Sequence, residues 1–168
     1  MLRCPGACGK RLPWQPQERL FKAFLACFED SMPDCIFCKI IRGEIPCAKL
    51  FENEDVIAFL DIAPARPGHT LILPKLHAAT LFDLPPELGT AVVAAIQKVG
   101  TAVMEATGAT GLNVFQNNFP AAGQAVPHLH WHLIPRHEDD GLQLWEQGSY
   151  ADASAMNAMA EGIKSALR

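Results

Sequence analysis

Positive charge is scarce in this chain: 14 Lys and Arg stand against 18 Asp and Glu, a formal net charge of −4. With no overall positive field to condense on a polyanion backbone, electrostatic capture of DNA or RNA is not expected. A small phosphate ligand stays open, because helix N-termini, backbone N–H groups and histidines bind one without surplus cations. Long apolar runs are missing too. The longest, such as Ala91 to Ile96, hold six residues, far short of the ~20 residues a membrane-spanning helix needs, so no membrane partner is expected. Arg3, Lys10 and Arg11 precede an apolar stretch ending Phe24-Leu25-Ala26-Cys27, but Glu18, Arg19 and Lys22 interrupt it, and no export signal is read there. The expected location is therefore cytoplasmic. The six cysteines are then poor candidates for a disulfide framework, and metal binding becomes the better use for any that cluster.

What is present fits one ordinary domain with a tail: 168 residues, 49% hydrophobic and 19% charged. Residues 1–17 are rich in Gly, Pro and Cys without periodicity, whereas Arg19 to Phe28 sets Leu20, Phe21, Phe24, Leu25 and Phe28 on one helical face. A short helix is expected from Asp34, stopped at Gly43. Two strands, Lys49 to Glu52 and Val56 to Asp61, flank an Asn-Glu-Asp turn that suits a hairpin, and a third runs from His69 to Leu73. Pro85-Pro86-Glu87 opens a long helix with Leu88, Val92, Ile96, Val99 and Val103 on one stripe and Gly108 as its stop. Asn113 to Asn117 and His128 to Ile134 read as two more strands. Asp152 can cap a final helix carrying Met156, Met159, Ile163 and Leu167. The sum is an α+β domain: an antiparallel sheet of about five strands with a long central helix and a C-terminal helix.

Half of the six histidines fall in His128-Leu129-His130-Trp131-His132. Side chains two apart on a strand share a face, so three imidazoles are expected in a row about 7 Å apart, with Leu129 and Trp131 turned to the core. A surface strand merely rich in His is the bland alternative. Strict alternation with large apolar residues between is hard to explain by packing. A neutral imidazole is a good nucleophile near pH 7, and flanking imidazoles can orient it or donate to phosphate oxygens.

The string Gly123-Gln124-Ala125-Val126-Pro127-His128-Leu129-His130-Trp131-His132-Leu133-Ile134-Pro135-Arg136 resembles the signature of the histidine-triad superfamily. Cys35-Ile36-Phe37-Cys38-Lys39-Ile40-Ile41-Arg42-Gly43-Glu44-Ile45-Pro46 is similar to that family's opening motif. Phe59-Leu60-Asp61-Ile62-Ala63-Pro64, Pro67-Gly68-His69 and Leu73-Pro74-Lys75-Leu76-His77 are similar to its central ones. The resemblance covers residues 34 to 136 in order. It implies a homodimer that binds a purine nucleoside monophosphate or its conjugates beside the triad. By position, His130 matches the nucleophile, and His132 the donor to the α-phosphate. His69 lines the same site and joins them in the catalytic set. Asp61 matches the acceptor from the ribose hydroxyls, and Phe37, Ile40, Phe59 and Ile62 match the apolar walls around the base. Asn117, Gln124 and the backbone at Ala125 and Val126 match the phosphate-side contacts. At Ala125 many relatives carry Ser or Thr, so the hydroxyl that reaches the leaving group there is lacking.

Cys35-x-x-Cys38 by itself fits a redox pair, half a zinc site or two buried thiols. The resemblance implies a structural zinc closed by His77 and His128. It also places the start of the family domain near Met32-Pro33-Asp34-Cys35, so residues 1–33 are expected to be an extension, with Met32 a candidate initiator, and 34–168 the domain. Cys4, Cys8, Cys27 and Cys47 are left unassigned. The implied activity is a nucleotidyl hydrolase of the nucleoside phosphoramidate type, working through a nucleotidyl-histidine at His130. A dinucleoside polyphosphate hydrolase, a zinc-stabilised nucleotide-binding module with little turnover, and a metal-storage protein are the rivals. The last would leave Asp61, Asn117 and Gln124 without a use.

Overall fold

The computed structural model describes residues 34–167; the helix expected from Arg19 to Phe28 and the assignment of residues 1–33 as an extension lie outside them. The chain divides after Glu138 into two compact units.

In the first unit, helix α1 (Ile36–Ile41) points Phe37 inward. Strands β1 (Lys49–Glu52) and β2 (Val56–Leu60) form the expected hairpin. Its turn is closed by Asn53, whose Oδ1 accepts from the N–H groups of Asp55 (3.0 Å) and Val56 (2.7 Å), an Asx turn of the kind this side chain favours. β3 (Thr70–Pro74) pairs antiparallel with β2. A 3₁₀ turn over Pro86–Leu88 leads into helix α2 (Gly89–Thr107), which ends at Gly108 in the left-handed conformation. β4 (Gly111–Gln116) and β5 (Trp131–Arg136) complete a five-stranded sheet in the order β1-β2-β3-β5-β4, with every pairing antiparallel.

β2 and β3 are buried on both faces. Val56, Ala58 and Ile72, with Leu133 of β5, pack on Val92, Ala95, Val99 and Val103 of α2, while Ile57, Phe59, Leu71 and Leu73 pack on Cys35 and Phe37. The period-two alternation thus sends one set to the long helix and the other to the short one.

The triad strand starts later than its histidine pattern predicts. The N–H of His128 turns back to Val126 O (2.8 Å) and that of Leu129 goes to Ala78 O (2.6 Å), so ladder pairing with β3 and β4 begins only at Trp131. The His130 and His132 rings are consequently 4.9 Å apart between centroids, closer than an extended strand gives.

The second unit holds helix α3 (Ala153–Ala166), capped as expected: Asp152 Oδ1 accepts from the N–H of Ala155 at 2.8 Å. Its apolar residues Met156, Met159 and Ile163 are exposed.

Gly68 joins the end of α2 to the start of the site. Its φ is +88°, and a Cβ there would lie 2.6 Å from Thr107 Cγ2 and 3.4 Å from Pro135 Cγ. Gly68→Ala combines a left-handed backbone with a clash, so a loss of about 1–3 kcal/mol is expected, read as a melting point several degrees lower. An unchanged melting temperature would show that neither constraint operates.

Candidate functional site

His128 is fully buried at the entry to β5. A carbonyl can only accept, so the 3.0 Å contact between its Nε2 and Pro74 O fixes the proton on Nε2 and leaves the Nδ1 lone pair bare. That lone pair faces Cys35 Sγ (3.5 Å), Cys38 Sγ (3.5 Å) and His77 Nδ1 (3.2 Å), and Cys38 Sγ lies 3.2 Å from His77 Nδ1. The four donor atoms lie within 4.8 Å of one another. A tetrahedron built with Zn–N near 2.0 Å and Zn–S near 2.3 Å has edges of about 3.3–3.8 Å, close to these spacings. A second partner that orients the imidazole is what metal-bound histidines usually have, and here it is Pro74 O. Burial, with Cys35 beside it, pushes the Cys38 thiol up to about 12. Burial likewise lowers His77, and takes His128 down to about 4. A divalent cation would reverse the thiol shift, because coordination deprotonates a thiol outright. The residues therefore fit a metal, and all four expected from the sequence come together.

His130 is buried, and its Nδ1 lies 2.6 Å from the carbonyl of His128. In the neutral ring the same logic puts the proton on Nδ1 and leaves Nε2 as a free lone pair. The Phe37 ring meets His130 edge-on at 5.2 Å.

The neighbouring pair is oriented in series. The N–H of Ala65 donates to His69 Nδ1 (3.1 Å), so the His69 proton sits on Nε2, which donates to His132 Nδ1 (2.9 Å). His132 must then carry its own proton on Nε2. Asp61 Oδ2 is 3.6 Å from His69 Nδ1. An ion pair there would need a protonated Nδ1, whereas the Ala65 N–H needs a bare one. The hydrogen bond decides, since burial lowers His69 against the opposing pull of Asp61. Burial also takes His132 down to about 4, helped by His130 and His69 and opposed by Asp61. Asp61, His69 and His132 are close enough to share a cation. Because His69 Nδ1 is already bonded to the backbone and His132 Nδ1 to His69, the three read as a hydrogen-bond chain. Asp61 is held by the N–H of Ala63 to its Oδ1 (2.9 Å).

Of the apolar residues assigned to the base, Phe37 and Phe59 meet edge to face at 5.9 Å and belong to the core layer against which Ile40 and Val126 pack. Ile62 is fully exposed and joins no such cluster. On the phosphate side, the Asn117 amide lies over Gly123, whose Cβ, if added, would be 3.7 Å from Asn117 Nδ2. Ala125 is exposed. Gln124 is buried and spans two loops: its Oε1 accepts from the Phe119 N–H (2.8 Å) and its Nε2 donates to Ala79 O (2.6 Å). This clamping role was missed from sequence, as was the Ala65 N–H. Backbone donors leave no mark in a residue pattern, and only the buried Gln between Gly123 and Ala125 was a cue.

The neutral, half-buried His132 makes stability depend on pH. Its folded pKa lies below the unfolded value near 6.5, so the unfolded chain binds more protons as pH falls. Stability is complete above about 6.5 and is lost progressively toward 4. The melting temperature is therefore expected to fall between pH 7 and pH 5, and His132→Asn to flatten that fall. Equal slopes for the two proteins would show that His132 is not a source of it.

A model of the HIT domain matches residues 42–139. An adenylylsulfatase of Arabidopsis thaliana is 47% identical over 109 residues, 65% of this chain and 55% of that protein, so the chain spans about half of that relative's length. An adenosine 5'-monophosphoramidase of Schizosaccharomyces pombe is 40% identical over 135 residues, 80% of this chain and 98% of that protein. The crystal structure of a zinc-bound histidine triad family protein from Mycobacterium smegmatis superposes with a TM-score of 0.63 at 34% identity, covering 79% of this chain and 97% of that one. By sequence match, fold and the geometry around His130, the chain belongs to the histidine-triad (HIT) family.

Proposed function

We propose that the protein hydrolyses nucleoside phosphoramidate-type conjugates, releasing the purine nucleoside monophosphate. The observation that carries this reading is the pairing of a bare His130 Nε2, set by its Nδ1–H to the His128 carbonyl, with a His132 Nε2–H set by His69. One is a nucleophile and the other a neutral donor to phosphate. The relative that bears the name adenosine 5'-monophosphoramidase supports the substrate class.

His130 Nε2 forms a bond to the α-phosphorus while the bond to the amine breaks, and the amine leaves with the bonding pair and a proton from water. Water then cleaves the nucleotidyl-histidine, restoring His130 and returning the proton to solution. His132 donates from Nε2 to a phosphate oxygen as negative charge develops. His69 is a positioning residue that acts through His132. Asp61 accepts from the ribose, Phe37, Phe59 and Ile40 take the base with Ile62 free to close over it, and Asn117 and the backbone at Ala125 and Val126 flank the phosphate. Gln124 holds that loop in place. With Ala125 supplying no hydroxyl, the leaving group is protonated by solvent.

Cys35, Cys38, His77 and His128 would hold a structural zinc, which supplies a cross-link between α1, the segment after β3 and the triad. The zinc-bound relative supports that choice of ion. Homodimerisation is part of the same reading, with the edge strand β4 and its exposed Val114 as the surface available for it.

His130→Ala is expected to abolish turnover of adenosine phosphoramidate while the monophosphate still binds, and Asp61→Asn to act mainly on KM. Removing a nucleophile costs up to about 10⁶-fold elsewhere, so retention of more than about a tenth of the rate would rule out covalent catalysis. Elemental analysis of untagged protein is expected to give about one zinc per chain, lost in a Cys35→Ser, Cys38→Ser double variant. A content near zero, or unchanged in that variant, would sink the metal assignment.

A further inference from the structure

Phe119 has φ 70° and ψ 156°, a backbone region nearly reserved to glycine and costing a side-chain-bearing residue about 1–3 kcal/mol. The surroundings hold it there. Its N–H donates to Gln124 Oε1, and its carbonyl accepts from the N–H groups of Ala122 (3.0 Å) and Gln124 (3.2 Å). The loop is tied in turn to the segment after β3. Gln124 Nε2 donates to Ala79 O, and Asn118 Oδ1 accepts from the N–H of Leu81 at 2.8 Å. Thr80 and Asp83 fix the turn that carries Phe82, with Asp83 Oδ2 accepting from Thr80 N (3.0 Å) and Oγ1 (2.7 Å).

The outcome of this network is a stack facing water. The Phe82 and Phe119 rings lie 6.2 Å apart between centroids and 18° from parallel, yet stay 76% and 54% exposed. Core packing cannot be the reason for a strained aromatic that keeps more than half its surface in solvent. Stability alone would favour glycine at position 119.

Position gives the stack a use. Asn117, assigned to the phosphate side, and the clamp Gln124 bracket Phe119 on one loop. Ala78 O, one residue before the clamped Ala79, accepts from Leu129 between two triad histidines. The apolar residues assigned to the base sit on α1 and at the end of β2, whereas the Phe119 loop follows β4, beyond β5 in the sheet order. The stack therefore lies across the triad from the base, on the side where whatever is bonded to the phosphate must emerge.

We propose that Phe82 and Phe119 form a shelf for the leaving group, making the enzyme selective for phosphoramidates whose amine carries an aromatic or extended apolar substituent. This rests on the reading that the α-phosphate sits at His130. An aromatic face offers a planar or apolar group the contact area and stacking geometry it prefers.

The test compares the adenosine 5'-phosphoramidates of 2-phenylethylamine and ethylamine, two aliphatic amines differing only in the ring. The wild type is expected to favour the phenylethyl substrate in kcat/KM, chiefly through KM. In Phe119→Gly, Phe82→Ala and the double variant the ratio is expected to fall about threefold to tenfold, the range given by a lost aromatic contact. Phe119→Gly removes the ring while suiting the backbone, so its melting temperature is expected to rise, which separates loss of the shelf from loss of the fold. A wild type that cleaves both substrates with no preference, or variants that keep the wild-type ratio, would overturn the shelf and leave the hydrolase reading standing. A variant that changed oligomeric state with the ratio unmoved would assign the stack to an interface and overturn it as well. Cleavage of neither substrate by the wild type would overturn the hydrolase reading and the shelf together.

Discussion

Every polar atom on the His128 imidazole is engaged, and the arrangement of the site follows from that. Its Nε2–H donates to Pro74 O at the end of β3, its Nδ1 faces Cys35, Cys38 and His77, and its backbone carbonyl accepts from His130 Nδ1. A buried imidazole with an unsatisfied nitrogen costs stability, so the ring has one orientation that satisfies it. Because the same residue supplies the carbonyl that sets the His130 tautomer, fixing the ring also fixes the direction of the neighbouring lone pair. Structure and chemistry are coupled through one residue, with no flexible link between them.

The second constraint is that His69 and His132 stay neutral. His69 and His132 are held below the ordinary imidazole range chiefly by burial, although Asp61 pulls the other way. A protonated His69 could not accept the Ala65 N–H, so the bond that sets its tautomer would be lost, although its Nε2–H would still donate to His132 Nδ1. Proximity to Asp61 alone would favour an imidazolium. Desolvation prevails because a charged ring so far from water loses more hydration than one carboxylate at 3.6 Å returns.

The parts of this arrangement readable from sequence are those where a period or a residue type has a local cause. The hairpin turn at Asn53, the opening of α2 at the Pro-Pro-Glu segment, its end at Gly108 and the cap at Asp152 all depend on side chains within a few positions. The metal group was readable only by resemblance, because Cys35 and His128 are 93 residues apart and no local rule joins them. Period two placed the three histidines together but overextended their strand, since the Leu129 N–H is taken by Ala78 rather than by a ladder partner. Motif position assigns Gln124 to the phosphate, and the fold engages both ends of its amide in holding two loops. Ile62 was grouped with the base walls by motif position, and the bend after β2 leaves it in water. The backbone of Phe119 could not be foreseen, because its residue type argues against the conformation it has.

The shortage of cations along the chain acquires a meaning at the site. In the proposed reaction the groups that face the phosphate are neutral donors: His132 Nε2–H, the Asn117 amide and backbone N–H groups. A guanidinium or ammonium in their place would attract a nucleotide phosphate in its ground state nearly as strongly as at the transition state, and such uniform binding tightens the complex without speeding the chemical step. Fixed dipoles aimed at one position act most where charge accumulates, and they need little reorganisation when it does. Neutral donors suit the proposed reaction, which must first bind a nucleotide and then release one, and they are how a chain of net charge −4 would hold a phosphate without surplus positive charge.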